Sequence, residues 1–296
     1  MSTISKVAVA GASGLLGAPV VKQLLEDGFQ VTVLARKGTN QTFPATTTIV
    51  EVDYTSANSL VKALTGQDAV VSVLGFDGLP QQIPLIIAAV QAGVKRFLPS
   101  EFGGDGDNDK VSQLPMFRAK KATKDLLQRE AAAGRITYSL VANGPFLDTA
   151  LAYGMIVNLK DKKINLWDGG ERRYSTTLLP VVAKAVAGVL RHPEETRNRV
   201  VFVRSASLTQ KEVLERAKKV VGPDGWTVAT PSVAESLEAA YAKMEKTGEV
   251  DRIAFITSAI WGEGYGSNWQ KTDNELLGIK ELSDAELEAL MESFAK

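Results

Sequence analysis

The chain has no cysteine and only one histidine in 296 residues. The first absence excludes disulfides, thiolate metal sites and a cysteine nucleophile. The second leaves imidazole chemistry to His192 alone. It stands in Arg191-His192-Pro193 at the expected end of a helix, where a histidine is ordinarily just solvated. No run approaches the roughly 18 apolar residues that would span a bilayer. The opening stretch 1–10 lacks the length, basic flank and cleavage site of a secretory signal. Neither sign of charge prevails, since 34 Lys+Arg balance 34 Asp+Glu, so nucleic acid and membrane surfaces have no electrostatic claim as partners. These absences predict a cytoplasmic protein with no metal, and they leave the oligomeric state open.

Apolar residues make up 45% of the chain, enough for a sizeable core. Short β-branched runs at 6–10, 30–35, 48–52, 69–74, 96–99 and 137–142 alternate with helical spacing at 15–26, 57–64, 85–92 and 116–133. That rhythm predicts an α/β fold, a doubly wound parallel sheet covered on both faces. It assigns residues 1–150 to a Rossmann-type nucleotide-binding domain, its sheet completed by about 175–206, with a last strand at 200–203. Residues 151–174 and 207–296 read as a smaller, mostly helical substrate-side lobe. Within that half, 163–167 and 174–177 resemble a hairpin joined through Gly169-Gly170. Helices are expected over 179–191, from Thr209, and from Ser283, where Glu286 three residues on completes a capping-box pattern.

Gly11-Ala12-Ser13-Gly14-Leu15-Leu16-Gly17 leaves the first strand and opens the first helix. A helix N-terminus presents free N–H groups and a positive dipole end, which together favour a pyrophosphate. Gly11 permits the tight turn, Gly14 lets backbone approach the ligand, and Gly17 allows close helix–strand packing. In this context the loop predicts dinucleotide binding. An NAD-preferring site usually carries an acid at the end of the second strand, but here Ala35-Arg36-Lys37 stands there. A guanidinium pairs with the 2′-phosphate that a carboxylate would repel, so NADP(H) is the expected cofactor. Asp53 and Gly75, after the third and fourth strands, either line the cofactor or shape turns.

The Tyr-x-x-x-Lys pair of short-chain dehydrogenases is missing after all six tyrosines. The acidic stretch GGDGDND (103–109) fails the calcium-loop spacing, with Lys110 and Met116 where Gly and Glu are required. It reads instead as a mobile active-site loop. "VKRFLPSEFGGD" (94–105), the glycine loop and "MFRAKKATKDLL" (116–127) together resemble the isoflavone reductase-like branch of the NmrA-like family. These atypical short-chain dehydrogenase relatives include phenylcoumaran benzylic ether and pinoresinol-lariciresinol reductases. The resemblance is close over residues 6–146. It implies NADPH-dependent hydride transfer to a small aromatic substrate, with a lysine matching Lys120 in place of the missing tyrosine pair. Ser100, in the same stretch, is expected at the cofactor, as is Asn143 beyond the sixth strand, at the carboxyl edge where open α/β sheets bind ligands. The family further includes redox sensors that bind dinucleotide without turnover and regulate a partner protein, which is the alternative reading.

Helical geometry separates Lys120 from its neighbours. Met116, Ala119, Ala122, Leu126 and Leu127 define an apolar arc; Lys120 falls about 20° from Leu127 and Lys121 about 120° from it. Lys120 therefore borders the packed face, where desolvation lowers its pKa and suits it to general acid/base work. Lys121 and Lys124 are expected to be solvated. Phe146, Tyr153, Trp167, Trp261, Tyr265 and Trp269 either line an aromatic pocket or pack in the core. Phe146, Tyr153 and Trp261 are the substrate-contact candidates.

Overall fold

The structure, a computed structural model, describes residues 3–38 and 41–295. Its first half alternates β1 (Lys6–Ala10), α1 (Gly17–Glu26), β2 (Gln30–Arg36), β3 (Thr48–Val52), α2 (Ala57–Leu64), β4 (Ala69–Ser72), α3 (Gln82–Gln91), β5 (Arg96–Leu98), α4 (Asp109–Gln113), α5 (Arg118–Ala132) and β6 (Thr137–Ala142). After α6 (Leu147–Ala152), β7 (Lys163–Asn165), β8 (Tyr174–Thr176) and α7 (Leu179–Arg191), the chain returns as β9 (Arg199–Phe202). The remainder holds β10 (Ala206–Leu208), α8 (Gln210–Val221), β11 (Thr227–Ala229), α9 (Val233–Thr247), α10 (Arg252–Trp261) and α11 (Asp284–Ala295). No helix among the described residues is long and apolar enough to cross a membrane.

Seven strands form one parallel sheet in the order β3-β2-β1-β4-β5-β6-β9. The continuous apolar character of the strands follows from burial on both faces. Val7 and Val9 of β1 pack with Val20 and Leu24 of α1 and Val186 of α7. Ala8 and Ala10, pointing the opposite way, pack with Leu60, Leu85 and Leu127 of α2, α3 and α5. The chain runs outward from β1 to β3 and then returns to place β4 on the other side of β1. A crevice therefore opens at the carboxyl ends of β1 and β4, the usual ligand position in such sheets.

Arg96 ties the late strand to the early ones. It is buried in β5, where Nε donates to Thr137 Oγ1 at 2.8 Å and Nη1 to Ser139 Oγ at 2.7 Å. Nη1 also reaches Thr196 Oγ1 at 3.2 Å, and Nη2 donates to the Pro193 carbonyl. Burial pushes its pKa down to about 10, with Glu194 opposing the shift and Arg197 adding to it.

The expected hairpin does not form. β7 pairs in parallel with β11, and β8 pairs antiparallel with β10. The backbone between them is taken by other segments: Leu166 N–H donates to Ala229 O at 2.8 Å and Asp168 N–H to Pro231 O at 3.0 Å. Asp168, Gly169 and Gly170 all have positive φ, so this stretch redirects the chain instead of folding it back. The Ser283 cap is present, with Glu286 N–H donating to Ser283 Oγ at 3.3 Å and Ser283 N–H to Glu286 Oε2 at 2.8 Å. A further core beneath α8 and α11 gathers Leu147, Tyr174, Leu214, Trp261 and Met291.

Candidate active site

The glycine loop is held by contacts that tolerate no side chain. Gly11 has φ +85°, and a Cβ there would stand 2.7 Å from Val73 O. Gly14 N–H closes the turn onto Gly11 O at 2.9 Å. A Cβ on Gly17 would lie 2.6 Å from the Ala12 carbonyl carbon and closer still to Gly11 O. No side chain caps the start of α1 and no acid occupies its first turn, so its positive end has no anionic side chain of its own, although Ala18 N–H donates to Gly14 O at 3.3 Å and Pro19 carries no N–H.

A cleft of about 720 Å³ runs from Gly11–Gly14 past Arg36, Lys37 and Tyr54 to Gly75. The Asp53 carboxylate also borders it, but accepts from Thr55 N–H at 2.8 Å and Thr55 Oγ1 at 2.6 Å. Those two bonds hold its pKa below the ordinary range and engage it in its own turn. The Tyr54 hydroxyl is pushed up to about 12 by burial, against the opposing influence of Arg36. A glycine cradle at one end and two cations at the other fit a phosphorylated dinucleotide.

A second cleft, of about 320 Å³, is walled by Phe76, Phe117, Phe146, Tyr153, Ile260 and Trp269. A further space of about 270 Å³, bounded by Gly14, Leu15, Leu16, Gly75 and Ser100, lies between the glycine loop and the aromatic wall. Lys120 borders both of these spaces. Its amino group donates to the Glu101 carbonyl and stands 5.5 Å from the Phe117 ring centroid and 6.0 Å from that of Phe76. Burial depresses its pKa, while Glu101 opposes the shift. Lys121 faces away and pairs with Asp125 at 2.6 Å on the helix surface.

Lys124 departs from expectation. Its side chain is only 13% exposed and donates to the Gly106 carbonyl and, at 3.1 Å, to Asp107. The buried face of α5 is Thr123, Leu126 and Leu127, whereas Ala122 is exposed. The packed arc is thus rotated towards both Lys120 and Lys124. The acidic loop is correspondingly anchored rather than loose. Asn108 Nδ2 donates to Gly264 O at 3.0 Å and Lys110 Nζ to Glu263 O at 2.9 Å. Among the described residues no cluster of His, Cys, Asp or Glu could hold a metal ion.

Two other expected contacts are placed differently. Trp261 is 1% exposed and packs edge-on to Tyr174 at 5.6 Å between centroids, inside the core and away from the cleft walls. Its α10 neighbour Ile260 supplies the wall instead. Asn143 is fully buried behind the cleft, where its side chain donates to Gly144 O at 2.6 Å and its carbonyl accepts from Thr177 Oγ1 at 2.6 Å. It shapes the turn before Phe146 and lines neither cleft. Ser100 lines the intermediate space, but its hydroxyl already donates to Leu74 O at 2.7 Å. Tyr153, 83% exposed, stands at the cleft mouth.

Phe76, Phe102, Phe117 and Glu101 also border the site, although no motif in the sequence marks them as such. Phe117 was the most legible of these, three residues before Lys120 and so on the same helical side.

The model of the NmrA-like family matches residues 3–243. Oxidoreductase poxI of Penicillium oxalicum is 32% identical over 96% of this chain and 93% of its own length. Phenylcoumaran benzylic ether reductase Betv6 of Betula pendula is 26% identical, covering 76% of this chain and 80% of the relative. The solved binary complex of leucoanthocyanidin reductase and NADPH from Vitis vinifera superposes with a TM-score of 0.80 at 20% identity, over 98% of this chain and 99% of that one.

Proposed function

The chain belongs to the NmrA-like family, and from that premise we propose that it is an NADPH-dependent reductase of small, uncharged aromatic compounds with Lys120 as general acid. The observation that carries this reading is the place of Lys120, whose enclosed amino group borders both the apolar cleft and the space leading to the glycine loop. The glycine loop and the α1 N-terminus hold the pyrophosphate, and Arg36 with Lys37 holds the 2′-phosphate. NADPH, when bound, supplies hydride. The apolar walls exclude water and favour flat rings without charge. Lys120 gives a proton to the phenol or alcohol oxygen that gains charge as the substrate is reduced. The names of the fungal and birch relatives support oxidoreductase chemistry, and that of the birch protein supports an aromatic substrate.

The test is a panel of neutral aromatic alcohols, ethers and enones assayed for NADPH consumption. Turnover of at least one is expected. Tight NADPH binding by calorimetry with no turnover across the panel would instead identify a dinucleotide sensor.

Cofactor choice gives a separate prediction. Arg36 and Lys37 line the cleft, and Asp53, the nearby acid, is engaged by Thr55. NADPH is expected to bind at least roughly tenfold more tightly than NADH, about 1.4 kcal/mol, which one charge-assisted contact can supply. Arg36→Ala should remove most of that preference. Equal calorimetric affinities in the unmutated protein would refute it.

A further inference from the structure

Lys120 has a second, rear-facing environment. Behind it lies a cavity of about 20 Å³ lined by Glu101, Ser112, Phe117, Lys120, Lys121 and Lys124. That is room for about one water molecule. Glu101 is 6% exposed, and its carboxyl oxygen Oε1 is buried without a hydrogen-bond partner. A buried, unpaired carboxyl oxygen is costly unless something visits it. The same residue's main-chain carbonyl accepts from the Lys120 amino group, so acid and amine belong to one short junction. Lys120 also borders the cofactor approach and the aromatic cleft, and Lys121, which shares the lining of the small cavity, has a side chain that reaches solvent.

We propose that Glu101 relays protons from solvent to Lys120 through this rear cavity, restoring the general acid after each turnover. The inference rests on the reading of Lys120 as the proton donor. Glu101 acts through Lys120 and does not touch substrate. The Lys120 ammonium gives its proton to the substrate oxygen and becomes a neutral amine. The Glu101 carboxylic acid then passes its proton, by way of a cavity water, to that amine and becomes a carboxylate. The carboxylate recovers a proton from solvent at the outer end of the cavity. One solvent proton is consumed per turnover and no electrons move.

The surroundings suit both protonation states of Glu101. Burial raises its pKa and Asp107 of the loop adds to this, while Lys120 and Lys124 of α5 lower it. Asp105 lies beyond Asp107 and accepts from its N–H at 2.9 Å. The acid is thus accessible without being permanent.

Glu101→Gln keeps the shape and removes the transferable proton. With the aromatic substrate turned over fastest in the panel, steady-state kcat is expected to fall about tenfold while KM and NADPH affinity hold. The rate of a single turnover should be unchanged, because Lys120 begins with its proton, and added imidazole should restore the steady-state rate. Ser112→Leu, which fills the cavity without replacing either group, should give the same separation. A parallel loss in single-turnover and steady-state rates, or no loss at all, overturns the relay.

A substrate-free measurement uses the unmutated, cofactor-free protein. Its infrared spectrum should contain a buried carboxylic-acid stretch that Glu101→Gln removes, and its titration should shift in Lys120→Met. Absence of that band at every pH at which the protein is folded also overturns the relay. Full activity of Lys120→Ala, by contrast, would refute the proton-donor reading itself.

Discussion

Lys120→Ala is expected to slow turnover by roughly two to four orders of magnitude, the usual worth of a positioned general acid, with NADPH affinity nearly unchanged. The two effects should separate because the glycine loop and Arg36, which line the proposed cofactor cleft, stand on other elements than Lys120. Lys121→Ala, which loses an exposed i,i+4 pair with Asp125 and shortens one wall of the rear cavity without removing either Lys120 or Glu101, should remain within a few-fold of the parent. A structural role for Lys120 would lower the thermal midpoint without a selective rate defect, so rate, midpoint and affinity are measured together. The pH profile has a definite sign. Burial lowers the Lys120 pKa, so the ammonium is lost as pH rises through that lowered value. The rate should therefore fall on the alkaline side, and this limb should vanish from the residual activity of Lys120→Ala. Damage confined to Lys121→Ala would mean that the wrong lysine has been identified.

Gly17→Ala should nearly abolish NADPH binding, by roughly thirtyfold or more, and lower the midpoint as well. The added methyl would meet backbone, the Gly11 oxygen and the Ala12 carbonyl group, none of which can rotate aside. Overpacking of this kind costs about 1–3 kcal/mol, and here relief means moving the loop proposed to hold the pyrophosphate. Gly75→Ala is the control. Nothing lies within 4 Å of a Cβ there, so its fold should be unaffected and any loss would report on the ligand side of the cleft. Calorimetric NADPH affinity and thermal melts of both variants decide the matter. Parent-like binding by Gly17→Ala would show that the loop does not need its tight helix contact.

The parallel sheet was legible because its inner strands are buried on both faces and its helices have one apolar side, so local pattern and global fold agree. Lys120 was distinguishable from Lys121 for the same reason, since one helical wheel separates them. Lys124 was misjudged because Ala122 counts as apolar in a wheel yet has no partner at that position. The failures beyond α6 share another cause. Which strand pairs with β7 or β8 depends on segments far along the chain, and Trp269 N–H donates to Ser175 Oγ across 94 residues at 3.0 Å. Nor could the aromatic inventory reveal that Trp261 turns into the core while Ile260 turns out to the cleft. That depends on how α10 seats against Tyr174.

The Arg96 junction and the late arrival of β9 bear on how the chain folds. β6 finds its outer neighbour only after α6, β7, β8 and α7 have been made. Until then its edge offers a row of unpaired N–H and C=O groups, a template for another nascent copy. Two acceptors of the buried guanidinium, on Thr196 and Pro193, are also still missing. A chain released near residue 150 would contain the whole glycine loop and Arg36 and yet leave both an open edge and a guanidinium short of two of its protein acceptors. Aggregation during synthesis should therefore be governed by how soon residues 193–202 emerge, not by the stability of the glycine loop that precedes them.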